Sequence, residues 1–399
     1  MQPVIHHVCK FLETCAIKQC RLVCTSWNYG ATPGLKARTS IHIRLDSGNN
    51  LDPLFQEWSW NEHLFEKLKF GVHLKISSYK SSPLPVNLKS SPSVRNLKSI
   101  FVQFPTREQW QMDLYYKIVL GSSNTLEELN YGWRYDQDFP SLHGTIFLKL
   151  NKLVINHGPR QTPFPTVLVL QRIGQALMES FPALQYLNVH GVHLYEISKM
   201  AALQNLPRSL NSLVLNGRLD ASRVECLLSI PSSLKKMEFR SIFVDDDHRR
   251  VELPSILYRF LKKHSSTLEK LCISMRCEYD CQDVEWKLPI FPALKSFRFD
   301  DNSRFRKLKF EISQGLGSFG RIDYKVCFPV LEILHLYFSD LWSVALFLRR
   351  EDNPSPVVSW VREVNIRLLW YPPTEEPLPG LYERLLDVFP TAKISIEEA

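Results

Sequence analysis

The sequence predicts an α/β chain built as a solenoid, in which short parallel strands stack in chain order and each is returned to the next by a helix or loop. Three observations predict it. An apolar sentence, Leu-x-x-Leu-x-Leu or a close variant, starts eleven times between Leu97 and Phe389, at intervals of 24–37 residues averaging about 29. A period of that size marks units that cannot bury their apolar face alone and must stack. The last four positions of each copy alternate apolar and polar, the pattern of a strand with one buried face. Helical patterns ended by Phe-Pro or Ser-Ser lie between the copies, and proline cannot continue a helix.

In chain order, Val4, Val8 and Leu12 fall four apart with Ile5 and Phe11 beside them, one apolar helical stripe. Thr14 is placed to cap a second helix on which Ile17, Cys20, Val23, Cys24 and Trp27 share a face. Ile41-x-Ile43 and Val72-x-Leu74-x-Ile76 fit the second half of the apolar sentence and begin the repeat, with Arg38 and Lys69 in place of the first leucine. The Ser-, Pro- and Lys-rich stretch from Ser77 to Ser93 reads as a surface loop.

The regular copies are Leu97-Ile100-Val102, Leu126-Leu129-Tyr131, Leu150-Leu153-Ile155, Leu184-Leu187-Val189, Leu210-Leu213-Leu215 and Leu234-Met237-Phe239. Leu268-Leu271-Ile273, Leu294-Phe297-Phe299, Leu331-Leu334-Leu336, Val361-Val364-Ile366 and a worn Phe389-Ala392-Ile394 follow. Helical patterns cover Trp110–Val119, Val167–Phe181, Ile256–Leu261, Leu341–Leu348 and Leu381–Phe389. About a dozen strands are expected.

Strand, loop, helix and breaker in that order resemble the leucine-rich repeat, and the resemblance covers most of residues 95–396. That family often carries Asn or Cys three residues after the last apolar strand position. Here the slot holds Pro105, Arg134, Gly158, Val192, Arg218, Ile242 and Arg276, and only Asn302 matches. Irregular turns are the expectation.

At the amino terminus, Leu22-Val23-Cys24-Thr25-Ser26-Trp27 resembles the end of the F-box, and Val4-Ile5-x-x-Val8-x-x-Phe11-Leu12 its first half. The family's usual Leu-Pro-x-Glu opening is missing, with only Pro3 in its place. The resemblance implies a helical module over residues 1–37 that docks on the Skp adaptor of cullin–RING ubiquitin ligases, ahead of a solenoid over 38–399. Val8, Leu12, Ile17, Leu22, Val23 and Trp27 match its adaptor-binding positions. By resemblance the whole is a non-catalytic substrate receptor, cytoplasmic or nuclear, needing no cofactor. The competing class is a repeat scaffold or inhibitor whose two amino-terminal helices cap the stack and are buried on the first repeats.

Other features point away from an enzyme. Gly315-x-Gly317-x-x-Gly320 matches a dinucleotide fingerprint, but no helical pattern opens at the glycines. Cys272, Cys277 and Cys281 with His264 lack the tight Cys-x-x-Cys pairs of zinc sites. Asp245-Asp246-Asp247-His248, flanked by Arg249 and Arg250, reads as a solvated loop. The nine cysteines are odd in number and irregularly spaced, as in a reducing compartment. No stretch reaches the roughly 18 apolar residues of a membrane span. The net charge of +8 is spread along the chain, without the basic stripe of a nucleic-acid binder.

Strand alternation assigns the outward residues. Tyr186, Asn188, His190, Lys236, Glu238, Arg240, Lys270, Arg298, Asp300, His335, Tyr337, Glu363 and Arg367 are expected on the concave face. Aromatic and arginine side chains favour interfaces. The middle of that face leans basic, which suits an acidic segment of a protein partner.

Overall fold

A computed structural model describes residues 2–38, 40–44, 73–77, 97–103, 109–133, 142, 144–157, 179–190, 207–219, 221–230, 233–244, 252–277, 286–301, 308–310, 322–338, 357–368 and 380–398. The fold is α/β, and every strand pairing in it is parallel. The chain divides into two compact units, Met1–Leu184 and Gln185–Ala399. That division falls inside the repeat series.

The first unit opens with three helices, α1 (Gln2–Cys9), α2 (Thr14–Cys20) and α3 (Thr25–Arg38). Five strands follow, β1 (Ser40–Arg44), β2 (His73–Ser77), β3 (Ser99–Gln103), β4 (Glu128–Trp133) and β5 (Lys152–His157), with α4 (Gln109–Gly121) between β3 and β4. Each strand pairs with the next in sequence. The early repeats read from Ile41 and Leu74 are therefore strands in register, Ile41 opposite Leu74 and Leu74 opposite Ile100.

The second unit holds β6 (Tyr186–His190), β7 (Ser212–Leu219), β8 (Lys236–Val244), β9 (Lys270–Cys277), β11 (Ser296–Asp301), β13 (Ile333–Phe338), β14 (Glu363–Leu368) and β15 (Lys393–Glu398) in one sheet. A separate pair, β10 (Trp286–Leu288) with β12 (Leu308–Phe310), lies outside that order. The helices are α5 (Ala221–Leu227), α6 (Glu252–His264), α7 (Tyr324–Cys327) and α8 (Leu381–Val388). In α6, Glu252 sits in the first turn and Lys262 and Lys263 in the last, signs that complement the helix dipole.

Register turns the repeated sentence into two rows of core side chains. Leu187, Leu213, Met237, Leu271, Phe297, Leu334 and Val364 form one, and Val189, Leu215, Phe239, Ile273, Phe299, Leu336 and Ile366 the other. All are buried. Leu187, Leu213, Leu271 and Leu334 thus point inward on parallel strands, as expected.

The breaker does more than stop a helix. Phe-Pro-x-Leu folds into a turn in which the leucine N–H donates to the phenylalanine carbonyl, as Leu184 to Phe181, Leu294 to Phe291 and Leu331 to Phe328. Proline suits the second position of such a turn. The phenylalanines are buried and meet across repeats, with Phe291 and Phe328 stacked at 6.0 Å. Where the strand-end slot lacks Asn, β7, β8 and β9 run on through Arg218, Ile242 and Arg276, with register shifts between Asn216 and Arg218 and between Phe239 and Ile242. The expected irregularity is therefore longer strands with bulges.

The helical patterns over Trp110–Val119, Ile256–Leu261 and Leu381–Phe389 fall on α4, α6 and α8. Those over Val167–Phe181 and Leu341–Leu348 lie mostly or wholly outside the described residues, as do Ser78–Ser93, Asp245–His248, Cys281 and the Gly315–Gly320 segment. Among the described residues no helix is long and apolar enough to cross a membrane.

Candidate functional site

The amino-terminal region has three helices where the sequence suggested two. The α1 helix stops at Cys9, where Lys10 N–H donates to His7 and Phe11 N–H to Val8 in a tighter turn. The stripe that packs is therefore Ile5 and Cys9, not Val4 and Val8. Glu13, not Thr14, occupies the cap position of α2, and no side chain bonds there. Trp27 belongs to α3 rather than to the second helix, because the chain turns between Cys20 and Thr25. Arg21 Nε donates to Asn28 Oδ1 at 2.9 Å across that turn.

The three helices make a small core of Ile5, Cys9, Ile17 and Ala31, with Leu12, Cys20, Trp27 and Leu35 packed against it. Gly34 lets α3 approach α1 closely, since a Cβ there would sit 3.3 Å from that of Cys9. Outside this core the module exposes large apolar side chains: Val4, Val8, Phe11 (79%), Leu22 (80%), Val23 (68%) and Tyr29. Of the six expected contact residues, Val8, Leu22 and Val23 are exposed, Leu12 and Trp27 are half-buried, and Ile17 is sealed inside. Phe11, read from the sequence as lying beside the first stripe, and Tyr29, which was not singled out, are exposed as well.

The polar face of the second unit carries most of the expected concave residues. Tyr186, Glu238, Asp300, His335, Tyr337 and Glu363 are partly exposed, and Lys236, Arg240, Lys270, Arg298 and Arg367 are exposed. Asn188 departs from this and is buried, its carbonyl accepting from Asn216 Nδ2 at 2.6 Å. His190 ends β6, and its side chain lies outside those described.

This face is paired internally. Glu238 accepts from Arg240 Nη2 at 2.6 Å and Nε at 3.0 Å and holds Lys270 Nζ at 3.2 Å. Burial works against the Glu238 carboxylate, yet Arg240 and Lys270 outweigh it and keep its pKa below the usual range. Arg298 lies 4.4 Å over the Tyr337 ring and 3.7 Å from Asp300, which accepts from Ser274. Two carboxylates thus engage three of the four cations in the middle of the face, which keeps a net positive charge.

Beyond it, Ser395 Oγ donates to Asn365 Oδ1, and Asn365 Nδ2 reaches Glu363 Oε1 and, at 3.3 Å, His335 Nδ1. An amide N–H only donates, so His335 Nδ1 accepts and the ring there is neutral. Burial first, then the charges of Arg298 and Lys270, lower the His335 pKa against the pull of Glu363. Asn365 and Ser395 were not read from the sequence, although both occupy the strand position that His335 holds in its own repeat.

No described group of three or more His, Cys, Asp or Glu residues is placed to hold a metal ion. Cys272 is buried, which pushes its thiol up to about 11. His264 is buried on α6, its Nδ1 accepting from Leu234 N–H at 3.5 Å. After the glycine-rich segment the next helix is α7, four residues long and capped by Asp323.

Compared with protein-family models and with curated proteins, the chain matches none.

Proposed function

We propose that the chain is a non-catalytic substrate receptor, a leucine-rich-repeat solenoid behind an F-box-like module that docks on a Skp-type adaptor and brings a protein substrate to a cullin–RING ubiquitin ligase. The ubiquitin chemistry belongs to its partners. The observation that carries this reading is the exposure of Phe11, Leu22 and Val23 in the turns that follow α1 and α2, beside helices that already close a core of their own. Large apolar side chains in that arrangement suit a partner's apolar groove. The scaffold alternative expects these helices to be covered by the first repeats, and the exposed face weighs against it.

The substrate side of the proposal falls on the polar face of β6 to β15. Arg240, Lys270 and Arg298 are engaged by Glu238 and Asp300. Lys236 and Arg367, exposed at the two margins of that cluster, are then the cations most open to an acidic segment. The deciding experiment mixes the purified chain with a Skp-type adaptor and measures binding by calorimetry. A one-to-one complex supports the reading, and no binding at tens of micromolar removes it.

A further inference from the structure

A second interaction surface lies at the far edge of the second unit and does not depend on the ligase reading. β15 pairs with β14 through Lys393–Glu398, and no described strand pairs with its other edge. Lys393 N–H donates to Arg362 O at 2.8 Å. Backbone groups of alternate residues address opposite neighbours, so Lys393, Ser395 and Glu397 turn theirs toward β14. The N–H and C=O of Ile394 and Ile396 are therefore presented to the edge that no described strand occupies, and such an edge is a template for another strand.

The side chains of Ile394 and Ile396 extend the two core rows. Their neighbours Val364 and Ile366 are 0% and 1% exposed, whereas both isoleucines remain half-buried. Among the described residues no further strand continues these apolar rows.

We propose that this edge binds a second copy of the same chain, β15 against β15, antiparallel about a two-fold axis through Ser395. In that register Lys393 faces the partner's Glu397, Ile394 faces the partner's Ile396, and the symmetry repeats both pairs. The two residues with outward backbone groups then fall opposite each other and exchange four hydrogen bonds. Sliding by two residues either way sets Lys393 or Glu397 against Ser395 and forfeits both charge pairs. Parallel self-pairing aligns like charges, which is unfavourable. Opposite charges at the two ends of one strand match a copy of that strand only in the antiparallel sense, the self-complementarity an isologous contact requires. The sign change also separates this edge from one merely blunted by charge.

A five-residue pairing with two isoleucines from each side is a small interface, so the dimer should form at roughly tens of micromolar. Sedimentation equilibrium of the full chain from roughly 1 to 100 µM tests this. The average mass should rise from 46.5 kDa toward twice that value. Lys393→Glu alone and Glu397→Lys alone should each weaken self-association roughly tenfold. Mixing the two variants should restore the dimer, because each reversed charge then meets its opposite across the axis. Both side chains are exposed, and misfolding would not be rescued by mixing. A monomer throughout the range overturns the proposal. So do single variants that associate as tightly as the unmodified chain, or a mixture that stays monomeric.

Discussion

Leu22→Asp separates binding from folding in the amino-terminal module. Leu22 is 80% exposed and lies between α2 and α3, so a carboxylate there remains in water. Such surface substitutions change stability by about ±0.5 kcal/mol. Under a partner the accounting differs. Burial of a leucine side chain contributes about 1.5–3 kcal/mol, and a desolvated, unpaired carboxylate adds a penalty of its own. A loss of about 3 kcal/mol or more is expected, which is over 100-fold in affinity. Ile17→Asp is the contrast, because Ile17 is 0% exposed in the module's core and a buried charge there should unfold the helices. Leu12→Asp is a poorer probe, since Leu12 packs against that core. Calorimetry against the adaptor reads affinity, and thermal melting of the same samples reads folding. If Leu22→Asp, Val23→Asp and Phe11→Asp all bind within threefold of the unmodified chain, this face does not dock the adaptor.

Phe328 is buried and stacks on Phe291 at 6.0 Å and Phe297 at 5.5 Å, so Phe328→Ala should cost about 3–5 kcal/mol in urea unfolding and Phe328→Leu under about 1.5. Equal, small effects would mean the repeats do not communicate through these rings. Burial, aided by the Lys263 charge, lowers the His264 pKa from 6.5 to about 4. The folded chain therefore binds fewer protons than the unfolded one between those values, and the contribution of His264, up to about 3 kcal/mol, is intact above pH 6.5 and lost as pH falls toward 4. His264→Phe should flatten that acid limb, and an unchanged pH profile would refute the assignment. On the polar face, Lys236→Glu with Arg367→Glu should weaken capture of an acidic partner in a salt-sensitive way. Arg240→Glu with Arg298→Glu should also lower the melting temperature, because Glu238 and Asp300 would then face like charge. Identical behaviour of the two pairs would mean the internal ion pairs are not formed in solution.

The strands were legible because each repeats one apolar pattern, and a one-residue slip of register would turn every buried side chain outward. Even the degenerate copies at Ile41 and Leu74 could be read, since a short apolar alternation is enough signal for a strand. The amino-terminal helices were less legible. Val4 and Val8 have the spacing of a buried stripe, yet Ile5 and Cys9 are the residues buried. Both pairs satisfy helical periodicity, and only the close approach of α3 at Gly34 decides which one packs. The buried phenylalanines were present as Phe-Pro breakers, but proline's role as a stop signal hid that of the residue before it.

Alternation along a strand says which side chains share a face but not how they satisfy one another there. Lys236, Arg240, Lys270 and Arg298 read as an electropositive patch because their charges were summed along the sequence. Glu238 and Asp300 sit two residues from an arginine on the same strand, close enough for each side chain to reach its neighbour. Diagonal reach between neighbouring strands then brings Lys270 to Glu238 and Tyr337 beneath Arg298. Arg240 is stabilised in its charged form by Glu238 against the cost of its own burial. Displacing either arginine onto a partner's carboxylate exchanges one ion pair for another and gains little. The substrate contact proposed for this face therefore shifts outward from the middle to Lys236 and Arg367, and to the Ser395–Asn365–His335 chain, whose donors and acceptors suit hydrogen-bonding groups rather than charge.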